Sequence, residues 1–381
     1  MSLNTIEYLY NEIGIADNLL LDTYSEQERI ALLDYICDIK YIISRVLNKR
    51  EYSLEELDDN EDSILLLDYL SLCKEEMTKT YIGDRPFHQS FLFRVFRYQD
   101  TLLTDKELGK IKEHFPQISK EEFFDILHGF MSSINQERIF ERQISENRII
   151  IQNDKANDYG FCVHNPITND STILVKDRGY NISSLVTAAH EFGHVYDFDN
   201  FEGSIANFNY YINRTFNKEV VSKLVERLMF DYLIENNIHK KEAQARLLKS
   251  SEDDMISTLN AYIMSLINVR DLYDAQYKYL SRKQVLSQIQ SRFSNPEDIN
   301  AHLKKELHCL DLEGNNTYAY GSVLALLLKD SVKEDGLESP LLKEFLTTRT
   351  NPTCREFLES TGLTTDYYGQ CLEKEIQLIK K

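Results

Sequence analysis

The stretch TAAHEFGHVYDF, Thr187 to Phe198, decides how the rest of this chain is read. On a helix, His190 and His194 lie one turn apart on one face, and their imidazoles can converge on a single cation. Glu191 projects beside them, within reach of a water held by that cation. Zinc suits such a pair because two or three protein ligands leave a tetrahedral position open. A bound water can then have a pKa near ~7, and the neighbouring carboxylate can take its proton. Gly193 costs about 1 kcal/mol against Ala in an isolated helix. A helix that tolerates it points to close packing at that turn.

The competing reading is a helix with two incidental histidines. With nine His in 381 residues, an HExxH pattern arises by chance about 0.02 times in such a chain, so a third ligand is the deciding feature. The extension HExxHxxGxxH fails, because Asp197 and Asn200 stand where Gly and His are required. A glutamate nineteen or twenty residues beyond His194 also fails, since those positions hold Asn213 and Arg214.

Composition narrows the class. Hydrophobic residues make up 42% and charged residues 28%, the mixture of a soluble globular protein. A net charge of −19 argues against nucleic acid and against anionic membrane surfaces, both of which call for basic patches. The six cysteines are far apart and form neither a disulfide framework nor a cysteine zinc site. Glu7, Glu12 and Asp17 interrupt the apolar stretch that a secretory signal needs. Runs such as Val323 to Leu328 are too short to span a bilayer. A cytoplasmic location with reduced thiols is expected.

Most of the chain reads as helix. Apolar residues recur at three- and four-residue intervals over 3–22, 25–47, 61–80, 86–103 and 119–144. Breaks fall at Asp84–Pro86 and Phe115–Ser119, where Ser119 and Glu122 suggest a capping box. Between about 147 and 180 the texture changes to short β-prone runs divided by Asn, Asp, Gly and Pro, a small sheet or hairpin between two helical halves. Asn181 is a good N-cap for the motif helix. We place a soft boundary at 146, giving an N-terminal helical region, 1–146, and a catalytic region, 147–381.

Beyond the motif, NKEVVSKLVERLMFDYL carries Glu219, Ser222 and Glu226 on one face of a periodic helix. Glu219 falls twenty-five residues after His194. A solvated acidic edge is the usual fate of such glutamates, with Val220, Val221, Leu224, Val225 and Leu228 burying the other side. The residues alone leave both readings open.

Here the sequence resembles the thimet oligopeptidase and oligoendopeptidase F group of zinc metallopeptidases, gluzincins that combine HE[FL]GH with a later E-x-x-S-x-x-x-E. The matching residues are His190–His194 and then Glu219, Ser222 and Glu226. The resemblance implies that His190, His194 and Glu219 hold one Zn2+ per chain. It implies that Glu191 is general base and proton shuttle, and that Glu226 orients a histidine ligand. The family's C-terminal histidine and tyrosine-rich segment correspond to His308, Tyr318 and Tyr320, although Thr317 stands where one family tyrosine is expected. His302 and His239 read as surface histidines and His164 as a loop residue outside the zinc shell. The Gly160–Lys176 segment resembles the strands along which extended peptides pair in that family.

The expected fold is mostly α: a multi-helical, zincin-like metallopeptidase with a small sheet beside the active-site helix and a cleft between two helical halves. The expected activity is hydrolysis of peptide bonds in short unfolded oligopeptides, with no nucleic-acid or membrane partner. The chain before the motif is shorter than in longer family members, so the helical half that walls the cleft is expected to be trimmed. That trimming, with Thr317, favours the alternative of a catalytically silent peptide-binding or scaffold protein with the same fold.

Overall fold

A computed structural model describes residues 3–22, 26–46, 68, 71–72, 74–75, 78–111, 116–153, 159–165, 170–200, 217–267, 312–348 and 354–381. The chain is mostly helical. Helices α1 (Leu3–Asp22) and α2 (Glu26–Val46) precede α3 (Arg85–Leu103), α4 (Lys120–Ser133) and α5 (Glu137–Ser145). Three strands follow, β1 (Ile149–Asn153), β2 (Tyr159–Asn165) and β3 (Asp170–Asp177). The motif helix α6 (Ile182–Asp199) leads to α7 (Val220–Glu235), α8 (Lys240–Leu266) and α9 (Leu312–Asp335). Helices α10 (Pro340–Thr348), α11 (Cys354–Thr361) and α12 (Thr365–Lys380) follow.

Local chemistry sets several of these limits. Asn181 Oδ1 accepts from the Ser184 amide at 3.0 Å, and Ser184 Oγ accepts from the Asn181 amide at 2.9 Å. That reciprocal pair satisfies two orphan donors and starts α6 where the sequence placed it. Ser119 Oγ accepts from the Glu122 amide, while the Glu122 carboxylate lies 2.9 Å from His239 Nε2. The expected single helix over 119–144 is two helices. Asn135 adopts a left-handed conformation, φ 60°, and the short polar Asn side chain tolerates that turn. Most of the expected 61–80 helix lies outside the described residues.

The strands form a mixed sheet in the order β1-β3-β2. β3 pairs antiparallel with β2 and parallel with β1, so the β2–β3 hairpin has gained a third strand. Both strands pack on α6. Ile150, Val163 and Leu174 join Ile30, Leu33 and Ile36 of α2 in a separate apolar cluster. His164, expected in a loop, lies in β2. It is buried, its Nδ1 is 3.1 Å from Ser171 Oγ, and its ring stacks on Phe198 at 4.3 Å.

The main core joins α3 to the helices after the sheet. Buried residues His88, Phe91, Leu92, Val95, Phe96, Gln99 and Leu103 recur at helical spacing along α3, and this face packs on α8 and α12. α7 is buried on nearly every side, between α6, α8 and α9. No described helix is long and apolar enough to cross a membrane.

One buried polar contact ties α3 to α9. His88 Nδ1 bonds the hydroxyl of Tyr320, and the imidazole stacks on Tyr81 at 4.4 Å. Burial disfavours the imidazolium and lowers the His88 pKa to about 3. In the unfolded chain the same group titrates near 6.5. The unfolded state therefore binds the extra proton first. Stability from this site is fully present above about pH 6.5 and is lost as pH falls toward 3. In urea unfolding, the wild-type stability should fall more steeply with acidification than that of His88→Gln between pH 5.5 and 4.5. The difference should approach about 1.4 kcal/mol per pH unit, and parallel slopes would rule the buried neutral imidazole out.

Candidate metal centre

The site is assembled where α6, α7, α9 and β2 meet, and glycines let them meet. A Cβ on Gly193 of α6 would collide with Ser222 Cα, and would lie 2.8 Å from Val221 O and 2.9 Å from the Ser222 amide nitrogen. These are backbone atoms of α7, so the two helices touch main chain to main chain. On α9, a Cβ on Gly321 would lie 2.6 Å from Glu219 Cβ. On β2, a Cβ on Gly160 would collide with the Glu191 carboxylate. The close packing expected at Gly193 is present, while Gly160 and Gly321 gave no signal in the sequence.

This contact brings three donor atoms together. His190 Nε2 lies 3.2 Å and His194 Nε2 3.5 Å from Glu219 Oε2. All three donors lie within 4.8 Å of one another. Zinc with bonds of about 2.0–2.1 Å in a tetrahedron spaces its ligand atoms about 3.4 Å apart, so the residues present fit that ion. Glu219 opens α7 at its N-cap. Its carboxylate is held by Ser222 Oγ, which donates to Oε2 at 2.9 Å. Ser222 thus has two tasks: its backbone receives Gly193, and its hydroxyl fixes Glu219.

The surroundings favour a cation. Glu191, Glu219 and Glu226 are all buried. His190 Nδ1 lies 2.9 Å from Glu226 Oε2, the outer hydrogen bond that fixes tautomer and ring direction in metal-binding histidines. Burial opposes a charged His190, but hydrogen bonds to Glu219 and Glu226 and the field of Glu191 push its pKa up to about 10. Burial would also raise Glu219, yet His194 and His190 hold its carboxyl well below the usual range. Glu191 behaves oppositely. Its burial outweighs the two imidazoles and raises its pKa, and it stands outside the donor cluster. A carboxylate raised toward neutrality suits proton transfer better than one locked as an anion.

The candidate tyrosines separate. Tyr318 is 43% exposed on α9. The negative field of Glu219, with burial and the field of Glu191, keeps its hydroxyl protonated by raising its pKa. Tyr320 is not brought to the centre, because it is fully buried and its hydroxyl is engaged with His88. Thr317 is buried in α9, and His308 and His302 lie outside the described residues. A second group, His128, Glu137 and Glu141, also brings possible donors together, but on the exposed surface.

No protein-family model matches the chain, and no curated protein matches it. Among solved structures it is similar to a protein designated oligoendopeptidase F, at 12% identity, TM-score 0.46, covering 93% of this chain and 65% of that one. It is also similar to a protein so designated from Bacillus anthracis str. Ames, at 11% identity, TM-score 0.42, covering 92% and 62%. A third similarity is to PZ peptidase A with an inhibitor, at 12% identity, TM-score 0.41, covering 93% and 65%. The chain therefore spans less than two thirds of the length of these structures.

The helix contact at Gly193 makes a measurable claim. An Ala in its place gains about 1 kcal/mol of helix propensity, but its methyl meets backbone that cannot rotate away. Overpacking of this kind costs about 1–3 kcal/mol, so the net effect of Gly193→Ala should be destabilising, with His194 drawn away from Glu219 and zinc uptake weakened. A variant with raised thermal stability and full zinc uptake would show that α6 and α7 do not touch there.

Proposed function

We propose that this protein is a zinc-dependent metalloendopeptidase that hydrolyses peptide bonds in short unfolded oligopeptides. The observation that carries the reading is the convergence of His190 Nε2, His194 Nε2 and Glu219 Oε2 beside a fourth group, Glu191, that is not one of the donors. His190, His194 and Glu219 would hold the ion, with Glu226 orienting His190 through Nδ1. Bound zinc supplies an acidified water and a Lewis acid for the carbonyl oxygen.

The rest of the chemistry belongs to the chain. Glu191 takes a proton from the attacking water at its carboxylate. It then delivers that proton to the departing amine, so one group serves as base and acid in turn. Tyr318 keeps its hydroxyl proton and donates to the developing oxyanion, a stabilisation that counts most in a site with little water. His308 is a further oxyanion donor on the strength of the family resemblance alone. The peptide itself is supported by β2, which lies at the edge of the sheet among the described residues. Its Gly160 abuts Glu191. An extended substrate paired along that edge would be held by backbone hydrogen bonds, whatever its side chains.

The rival reading, a catalytically silent peptide-binding or scaffold protein, keeps the fold, with or without the metal, and lacks turnover. Wild-type turnover separates them, and two variants test the residue roles. Glu191→Gln should keep zinc content, thermal stability and peptide affinity while turnover of a mixed fluorogenic peptide set falls at least about a hundredfold. Glu219→Ala should lose most of its zinc. A wild-type chain that holds zinc and cuts none of the peptides would establish the rival. Zinc retained at full level by Glu219→Ala would remove this ligand set.

A further inference from the structure

The face of α7 that continues from Glu226 is buried and ionic. Beyond the His190 contact, Glu226 accepts from Ser250 Oγ at 2.5 Å and pairs with Lys223 Nζ at 3.2 Å. The same ammonium lies 3.2 Å from Asp254 Oδ1 on α8. Arg227 Nη2 donates to Asp254 Oδ2 at 2.7 Å, and its Nη1 donates to Glu375 Oε1 on α12. Glu375 Oε2 accepts from Lys329 Nζ of α9 at 3.3 Å, and Lys329 reaches Asp231 Oδ1 at 3.1 Å. Lys333 Nζ, substantially exposed, meets Asp231 Oδ2 at 2.5 Å and the exposed Glu235 Oε1 at 3.0 Å, where the series reaches the surface.

Acid and base alternate along the whole series: Glu226, Lys223, Asp254, Arg227, Glu375, Lys329, Asp231, Lys333. Each buried charge in it faces a partner of opposite sign. A buried ion pair is poor evidence for stability, because desolvation offsets much of the attraction. Replacing such pairs by apolar side chains is often neutral or stabilising. A run of eight charged residues at a four-helix junction therefore calls for a reason other than holding the fold. The end that meets His190 supplies one.

We propose that Asp254 is a positioning residue for the metal centre: with Arg227 and Glu375 behind it, it holds Lys223 so that Glu226 presents a fixed, fully accepting oxygen to His190 Nδ1. The inference rests on the zinc reading given above. Asp254 shares the ammonium of Lys223 with Glu226. Without that share, Lys223 turns its full charge on Glu226 and competes with the imidazole N–H for the same oxygen, Oε2. His190 then loses part of the electron donation and the directional lock that an outer carboxylate gives a histidine ligand. The effect is transmitted through three side chains and touches neither ion nor substrate.

Zinc affinity, measured by competition with a chromophoric chelator, tests this alongside the melting temperature of the metal-free protein. Asp254→Asn should raise the zinc dissociation constant by about tenfold, the low end for loss of outer-shell support, and Asp254→Glu should restore most of it. Lys223→Met combined with Asp254→Leu removes a neutral pair and should fold even if the Asn variant does not. With no ammonium left to compete for Glu226 Oε2, it should bind zinc within about twofold of wild type, whereas Asp254→Asn, which keeps Lys223, should not. An Asp254→Asn protein whose melting temperature falls while its zinc affinity stays within about twofold of wild type, or a double variant that loses affinity as the Asn variant does, would make the series purely structural and overturn the inference. A wild-type chain that takes up no zinc would instead overturn the ligand assignment itself, so the two failures are distinguishable.

Discussion

The main-chain contact between α6 and α7 at Gly193 and Ser222 is the constraint from which the rest of the site follows. The two histidines sit on one helix and their carboxylate partner opens another. Only helices pressed to backbone distance bring Glu219 Oε2 within 3.2 Å and 3.5 Å of the two imidazoles. Gly321 admits Glu219 from the α9 side, and Gly160 admits Glu191 from the sheet. Each glycine removes a methyl group at a point where a functional side chain needs the space. Packing and chemistry are here the same requirement.

The arrangement sorts three buried glutamates into different tasks by their neighbours. Glu219 faces two imidazoles and is held as an anion. Glu226 lies between His190 and Lys223 and is likewise held well below the usual carboxylate range, against the cost of burial. Glu191 receives less compensation, and burial raises it. Two environments that hold carboxylates as anions and one that pushes toward the neutral acid lie within one small volume, the difference that the proposed ligand, orienting and base roles require.

Much of this was legible in the sequence because the signals were local. The i, i+4 histidines, the Asn181 cap and the Gly193 anomaly each depend on neighbours within one turn or one short segment. Ser222 and Glu226 stood out through the spacing they share with a known family. What remained hidden depends on long-range partners. A solvated acidic edge was an open reading for Glu219 and Glu226, and it fails because residues far along the chain, among them Ser250 and Asp254, make that face of α7 interior. Tyr320 looked available until His88, 232 positions earlier, engaged its hydroxyl. Asn135 split a periodic stretch because hydrophobic spacing is blind to a single left-handed residue. His164 read as a loop residue because it was left over once the zinc shell was full, yet strand pairing with Ser171 keeps it in the sheet.

The alternating ionic series also bears on the order in which the molecule can form. Arg227 and Glu375 are 148 positions apart, so during synthesis the cations of α7 and α9 exist long before the carboxylate between them. Until α12 is made, packing α7 into its final place would bury Arg227 and Lys329 without the carboxylate that faces both, and an uncompensated buried charge costs about 3–5 kcal/mol. Contacts of such separation are also slow to close. α7 must therefore wait in a looser state, with Glu219 and Glu226 not yet set against the two histidines. On the zinc reading proposed above, ion capture would then follow the making of α12.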